Sequence, residues 1–119
     1  MAHELILIVE DNEKNRKLIR DLLQVKGYQT IESETAEEGL RLAQEKSPAL
    51  ILMDIQLSGM DGITAMKQLK ATPSTKAIPI IAITASAMTH NRETMLAEGF
   101  DGYQTKPLNL NEFLSDIER

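Results

Sequence analysis

Hydrophobic and polar positions alternate along the chain in two distinct patterns. Nearly continuous apolar runs, which are typical of buried strands, occupy residues 5–9, 50–53 and 79–83, and weaker runs lie at 29–33 and 102–104. Between and after these runs, apolar residues recur at the i, i+3, i+4 spacing of amphipathic helices. The pattern therefore predicts five strands, each followed by one helix.

Each predicted helix is defined by an apolar face. In chain order the faces consist of Leu18, Ile19, Leu22 and Leu23; Ala36, Gly39, Leu40 and Ala43; Ile63, Met66 and Leu69; Met88, Met95 and Leu96; and Leu110, Phe113, Leu114 and Ile117. We expect the first helix to end at Gly27, because glycine readily adopts the left-handed conformation that closes a helix. The Ser47–Pro48 pair is expected to end the second, because the residue before a proline avoids the helical conformation.

Five strand–helix repeats with nearly continuous apolar strands predict a parallel sheet covered by helices on both faces. Because crossovers are right-handed, few topologies remain, and the flavodoxin-like (βα)5 doubly wound α/β fold with strand order 2-1-3-4-5 is the usual one at this size. A closed eightfold barrel would need about twice this length. In the 2-1-3-4-5 order, the carboxyl ends of strands one and three flank the switch point where ligands bind.

Composition narrows the possible functions. The 119 residues form one expected domain, 1–119, without a linker, a repeat or an output domain. The net charge of -5 and the lack of a Lys/Arg cluster argue against nucleic-acid binding. There are no cysteines, no signal-peptide pattern and no apolar run of membrane-spanning length. We therefore expect a cytoplasmic protein that contacts neither nucleic acid nor a membrane. We also expect a monomer.

Polar side chains follow the predicted strands at the point where each strand ends. Glu10 and Asp11 follow strand one, Asp54 follows strand three, Thr84 follows strand four, and Lys106 follows strand five. In a parallel sheet these positions share one edge. Three carboxylates a few ångströms apart repel one another unless a cation neutralises them. Mg²⁺ prefers about six oxygen ligands, so the three acids could bind it and leave Asp54 able to accept a phosphoryl group.

Each of these residues also has a simpler interpretation. Asp11 or Asn12 could cap the first helix, and Asp54 could merely form a turn. Thr84 could be an ordinary strand residue, and Lys106 a solvated side chain. Their joint placement at one edge of one sheet favours a shared site.

Four motifs connect these residues to a known family. The sequences VEDN at 9–12, MDIQLSGMDG at 53–62, ITAS at 83–86 and TKP at 105–107 resemble the motifs of response-regulator (CheY-like) receiver domains. The resemblance covers essentially the whole chain. It is greatest to single-domain receivers of the DivK type, and also to receivers of hybrid sensor kinases. One departure is Ser58, which stands where many receivers carry a proline.

The resemblance implies a phosphorelay response regulator that accepts a phosphoryl group from a phosphohistidine in a Mg²⁺-dependent reaction. Asp54 would be the phosphoacceptor. Glu10 and Asp11 would bind Mg²⁺ together with Asp54 and the backbone carbonyl of Gln56, and Mn²⁺ or Ca²⁺ could replace the Mg²⁺. The protein would not be a conventional enzyme, because it would catalyse only its own phosphotransfer and autodephosphorylation.

The resemblance also implies a conformational switch. Thr84 would move to hydrogen-bond the phosphoryl group, Lys106 would pair with it, and the Lys106–Pro107 peptide would be cis. Tyr103 matches the aromatic residue that swings inward on activation. The surface formed by the fourth helix, fifth strand and fifth helix would then signal to a downstream effector. The phosphodonor would be a sensor histidine kinase or a histidine phosphotransfer protein.

Three other functions are compatible with the same fold. A flavin-binding module would need hydroxyls and glycines after strand one, where this chain has EDNEKN, and more aromatic residues than it has. An aspartyl-phosphate phosphatase would carry a DxD motif after its strand, but this chain has Gln56 in place of the second aspartate. A degenerate receiver that acts only by protein contact would not need the intact set of acids, hydroxyl and lysine.

Overall fold

One parallel sheet organises the computed structural model, which describes residues 4–57, 59–84 and 91–105. Its strands are β1 Leu5–Val9, β2 Gln29–Ser33, β3 Leu50–Asp54, β4 Ile80–Thr84 and β5 Gly102–Thr105. Their order is β2-β1-β3-β4-β5, and every neighbouring pair is parallel. The predicted flavodoxin-like topology is therefore confirmed.

Two strands extend one residue further than their apolar runs predicted. In β3 the ladder includes Asp54, which pairs with Ile83 of β4. In β4 the ladder includes Thr84, which pairs with Thr105 of β5, while the preceding Pro79 stays outside the strand. Proline has no N–H to donate to a ladder, so the strand begins after it. Asp54 and Thr84 are thus the last residues of their strands, held by pairing with a neighbour.

Four helices connect the strands within the described part of the chain. They are α1 Glu13–Val25, α2 Ala36–Lys46, α3 Gly62–Ala71 and α4 Arg92–Glu98. Their N-caps are Asn12, Thr35, Asp61 and Asn91, and each cap side chain accepts a backbone N–H from the first turn. The helix predicted around 110–117, and Met88 before α4, lie outside the described residues.

The predicted helix ends agree with the structure. Lys26 closes α1, and Gly27 follows it with a φ of +92°. Ser47 closes α2 in the left-handed conformation, directly before the proline. None of these described helices is long and apolar enough to cross a membrane.

Helices cover both faces of the sheet. On one face, Ile19 and Leu23 of α1 pack against the isoleucines of β1 and β4. On the other, residues of α2, α3 and α4 pack around the remaining strand positions. The buried face of α1 is narrower than predicted, because Leu18 is 49% exposed and Leu22 only partly buried. Neither residue points at the sheet as directly as Ile19 and Leu23, which are the only buried residues of α1.

Candidate functional site at the carboxyl edge of the sheet

Three carboxylates converge where β1 and β3 end. One oxygen each of Glu10, Asp11 and Asp54 can be chosen so that all three lie within 4.8 Å of one another. Glu10 is 1% exposed and Asp54 2% exposed, whereas Asp11 is open to solvent. The structure thus brings together the three acids that the sequence placed at neighbouring strand ends.

Strand register explains this convergence. Val9 of β1 pairs with Met53 of β3, so Glu10 and Asp54 follow paired residues on adjacent strands. The Glu10 N–H also donates to the carbonyl of Ser33 at the end of β2, at 3.0 Å. Since the strand residues before them are fully buried, the apolar core fixes where both acids emerge.

Hydrogen bonds within the two loops orient the buried carboxylates. Glu10 Oε2 accepts the N–H of Asn12 at 3.0 Å, and Asp54 Oδ1 accepts the N–H of Gln56 at 3.0 Å. Asp54 therefore does form the turn contact that was its simpler interpretation. A carboxylate has about four lone-pair sites, so one such bond remains compatible with binding a cation.

Capping of α1 is performed by Asn12 and not by Asp11. Asn12 Oδ1 accepts the N–H of Asn15 at 3.0 Å, and Asn12 has the extended conformation of an N-cap. Asp11 precedes the cap and belongs to the acidic cluster. The capping explanation of Asp11 is thereby excluded.

The donor set suits a hard cation. Mg²⁺ requires oxygen ligands at about 2.0–2.1 Å in octahedral geometry, which places ligand oxygens about 3 to 4.2 Å from each other. Three carboxylate oxygens within 4.8 Å come close to that spacing. Gln56, whose backbone carbonyl is the predicted fourth protein ligand, lies two residues beyond Asp54 in the same loop. Glu10, Asp11, Asp54 and this carbonyl would bind the metal.

The predicted switch residues lie on the strands beyond β3. Thr84 is completely buried at the end of β4. Tyr103 of β5 is 5% exposed, and the guanidinium of Arg92 lies 5.5 Å from its ring centroid. Arg92 Nη2 also donates to the Tyr103 carbonyl at 3.4 Å. Burial raises the pKa of the Tyr103 hydroxyl, and the nearby Arg92 charge acts in the opposite direction.

Several predicted features lie outside the described residues. They are Lys106, the Lys106–Pro107 peptide and Ser58. The described part of the site therefore consists of the acidic cluster, Gln56, Thr84 and Tyr103.

Two contacts at the site were not anticipated from the sequence. The Arg16 side chain donates from Nη1 to the Glu10 carbonyl at 2.9 Å. Gly62, the first residue of α3, packs so closely that a Cβ added to it would lie 2.3 Å from the Asp54 carbonyl oxygen. Both contacts depend on the approach of a helix to a loop, for which the sequence carries no periodic signal.

A family comparison and a comparison with individual proteins agree with each other. A protein family described as the response regulator receiver domain matches residues 6–118. The chain is 43% identical over 113 residues to the polar-differentiation response regulator DivK of Brucella ovis, covering 95% of this chain and 92% of that protein. DivK of Brucella anthropi is equally similar, at 43% identity over the same shares of the two chains.

Solved structures of similar chains share the fold over nearly their whole length. A receiver domain of a sensor histidine kinase from Pseudomonas aeruginosa PAO1, with a magnesium ion coordinated in its active site cleft, has a TM-score of 0.90 and 33% identity. It matches 99% of this chain and 97% of its own. The chemotaxis protein CheY4 of Vibrio cholerae has a TM-score of 0.89 and 25% identity, over 99% of this chain and 98% of its own.

Proposed function

This chain belongs to the response regulator receiver domain family, and on that premise we propose that Asp54 accepts a phosphoryl group from a phosphohistidine while Mg²⁺ is bound. Receiver domains of two-component response regulators interact with histidine kinases and with downstream partners. The observation that carries the proposal is the convergence of Glu10, Asp11 and Asp54 at the carboxyl edge of the sheet. The family match favours this function over a flavin module or a phosphatase.

Asp54 is held in place on two sides, as alignment of a nucleophile requires. Its backbone is part of the β3–β4 ladder, and the next N–H, that of Ile55, donates to the Ile83 carbonyl at 3.0 Å. On its other side, the start of α3 packs against its carbonyl through Gly62. Phosphoryl transfer depends mainly on alignment with the leaving group, so a rigidly held carboxylate is an advantage.

The chemistry needs little from the protein beyond this alignment. A carboxylate oxygen of Asp54 forms the new bond to phosphorus, while the bond from phosphorus to the donor imidazole nitrogen breaks and that nitrogen regains its lone pair. When bound by Glu10, Asp11, Asp54 and the Gln56 carbonyl, Mg²⁺ supplies neutralising charge for the transferred group. The protein acts on itself alone, through phosphotransfer and autodephosphorylation.

Phosphorylation would bias the conformation of the fourth and fifth strand–helix units. The phosphoryl group adds about 1.5 to 2 negative charges and three acceptor oxygens. Thr84 would donate its hydroxyl to one of these oxygens and Lys106 would pair with another. Tyr103 already lies buried beside Arg92 of α4, so the ring couples β5 to that helix. A downstream partner protein would bind the surface formed by α4, β5 and the residues that follow β5.

Intact mass spectrometry tests the phosphoacceptor. The wild-type chain, incubated with acetyl phosphate and Mg²⁺, is expected to gain the mass of one phosphoryl group, and Asp54→Asn is expected to gain none. Asp61→Asn is a matched control in the same loop, because asparagine preserves the helix cap that Asp61 provides to α3. Equal uptake by wild type and Asp54→Asn would refute the proposal.

The switch is tested separately by amide NMR. Adding beryllofluoride with Mg²⁺ is expected to shift the amide resonances between Thr84 and Tyr103. Resonances that stay in place there, while those around Asp54 move, would refute the switch and leave the phosphoacceptor assignment standing.

A further inference from the structure

The Arg16 side chain joins three elements next to the acidic cluster. It projects from α1, donates from Nη1 to the Glu10 carbonyl at 2.9 Å, and pairs through Nε with Glu32 of β2 at 3.1 Å. Nη1 also lies 3.9 Å from the exposed carboxylate of Glu34. The Arg16 side chain is only 14% exposed, so its guanidinium group is largely shielded from solvent.

The hydrogen bond from Arg16 to the Glu10 carbonyl fixes the orientation of the whole peptide group between Glu10 and Asp11. The Glu10 N–H donates to the Ser33 carbonyl, so with Arg16 both polar groups of the Glu10 backbone are hydrogen-bonded. Because a peptide unit is planar, the position of the Glu10 oxygen determines where the N and Cα of Asp11 lie. The two acids on either side of this peptide are the ones proposed to bind Mg²⁺.

We propose that Arg16 is a positioning residue for the Mg²⁺ site, acting through its hydrogen bond to the Glu10 carbonyl. The inference rests on the proposed function. Groups that orient metal ligands in this indirect way typically change metal affinity about 10- to 100-fold when they are removed. Glu32 holds the guanidinium in place, and its ion pair leaves Nη1 directed at the carbonyl.

The sign of the effect separates positioning from simple electrostatics. A cation close to a Mg²⁺ site repels the metal, so removing a positive charge should strengthen binding if charge were all that mattered. Loss of a positioning hydrogen bond should weaken it. The two explanations therefore predict opposite changes in affinity.

Arg20 provides a matched control. It lies one turn further along α1, and its Nη1 pairs with the same Glu32 carboxylate at 3.2 Å. Among the described contacts, Arg20 makes none to the Glu10 carbonyl. Arg20→Met thus removes one positive charge and one ion pair to Glu32, as Arg16→Met does, but leaves the hydrogen bond to the Glu10 carbonyl intact.

Isothermal titration of the full chain with Mg²⁺ alone tests the inference. Arg16→Met is expected to bind Mg²⁺ about tenfold more weakly than wild type. Arg20→Met is expected to stay within about twofold of wild type or to bind slightly more tightly. Arg16→Lys should weaken binding about threefold, because an ammonium group cannot make both contacts of the planar fork at once. Far-UV circular dichroism checks that each variant is folded.

Each remaining outcome has a defined meaning. Wild-type affinity, or tighter binding, in folded Arg16→Met would overturn the inference, as would equal weakening in Arg16→Met and Arg20→Met. If Arg16→Met does not fold, Arg16→Lys decides, and undiminished Mg²⁺ affinity in that variant overturns the inference. If wild type itself takes up no Mg²⁺, the proposed metal site fails and this inference fails with it.

Discussion

Replacing Gly62 with alanine should damage both the stability and the chemistry of this protein. A Cβ at this position would lie 2.3 Å from the Asp54 carbonyl oxygen, 2.8 Å from the Ile55 Cα and 3.0 Å from the Asp54 carbonyl carbon. All three atoms belong to the backbone, so no side-chain rotation can relieve the overlap. Either α3 must retreat from the sheet or the end of β3 must move.

The size of the overlap sets the size of the effect. Ordinary contact begins at 3.4 Å, so the helix and the strand end must separate by about 1 Å. Overpacking typically costs about 1–3 kcal/mol, and a backbone-to-backbone clash belongs at the upper end of that range. With a urea m-value of about 2 kcal/mol/M, a loss of about 3 kcal/mol lowers the unfolding midpoint by about 1.5 M. A displacement of about 1 Å at Asp54 can also slow phosphoryl uptake about 100-fold.

Urea denaturation and the rate of phosphoryl uptake from acetyl phosphate measure the two effects. Gly39→Ala is the comparison variant, because the nearest neighbours of the Cβ added there are side-chain atoms, Val9 Cγ2 at 2.9 Å first among them. Alanine also favours the helix over glycine by about 1 kcal/mol, which offsets part of the cost of that contact, so Gly39→Ala should lose less stability than Gly62→Ala. Wild-type stability and uptake in Gly62→Ala would refute the reasoning.

Two further predictions concern Tyr103 and the faces of α1. Burial raises the pKa of the Tyr103 hydroxyl in the folded state. The contribution of Tyr103 to the free energy of unfolding is therefore fully present below about pH 10, and it is lost as the pH rises through the folded-state pKa. Tyrosinate absorbance in Tyr28→Phe, where Tyr103 is the remaining tyrosine, should therefore show titration above the ordinary value, and Tyr103→Phe should weaken the loss of stability at high pH. On α1, Ile19→Ala should cost about 2–5 kcal/mol in urea denaturation, because Ile19 is buried. Leu18→Ala should cost about 1 kcal/mol or less, because Leu18 is half exposed.

The Tyr103 titration and the two α1 substitutions each have an outcome that would contradict the prediction. An ordinary tyrosine pKa in Tyr28→Phe would mean that the Tyr103 hydroxyl is not desolvated. Equal destabilisation by Leu18→Ala and Ile19→Ala would mean that both side chains face the core.

The fold was predictable because its signal is carried by runs of residues. A strand buried on both faces needs about five consecutive apolar residues, and 5–9 and 50–53 supply them in nearly pure form. The exact ends were less predictable, since pairing with a neighbour decides whether Asp54 or Thr84 joins its strand. The centre of the α1 face also depends on the neighbouring strands, which is why Leu18 was placed too close to the core.

The acidic cluster was predictable for a different reason. Parallel strands bring their carboxyl ends to one edge, so Glu10, Asp11 and Asp54 could be grouped from chain order alone. The supporting contacts of Arg16 and Gly62 could not, because they depend on a side-chain conformation and on the distance between a helix and a strand end. No local sequence pattern encodes either quantity.

The N-caps described for the four helices have a collective consequence. In a fold of alternating strands and helices, the edge where parallel strands end is also the edge where helices begin. Each helix start carries a partial charge of about +0.5 from its aligned peptide dipoles. The acidic cluster therefore lies on the electropositive side of the backbone, which lessens the mutual repulsion of its carboxylates even before a cation binds. The same backbone field would favour the additional negative charge of an aspartyl phosphate at that edge and oppose it at the other.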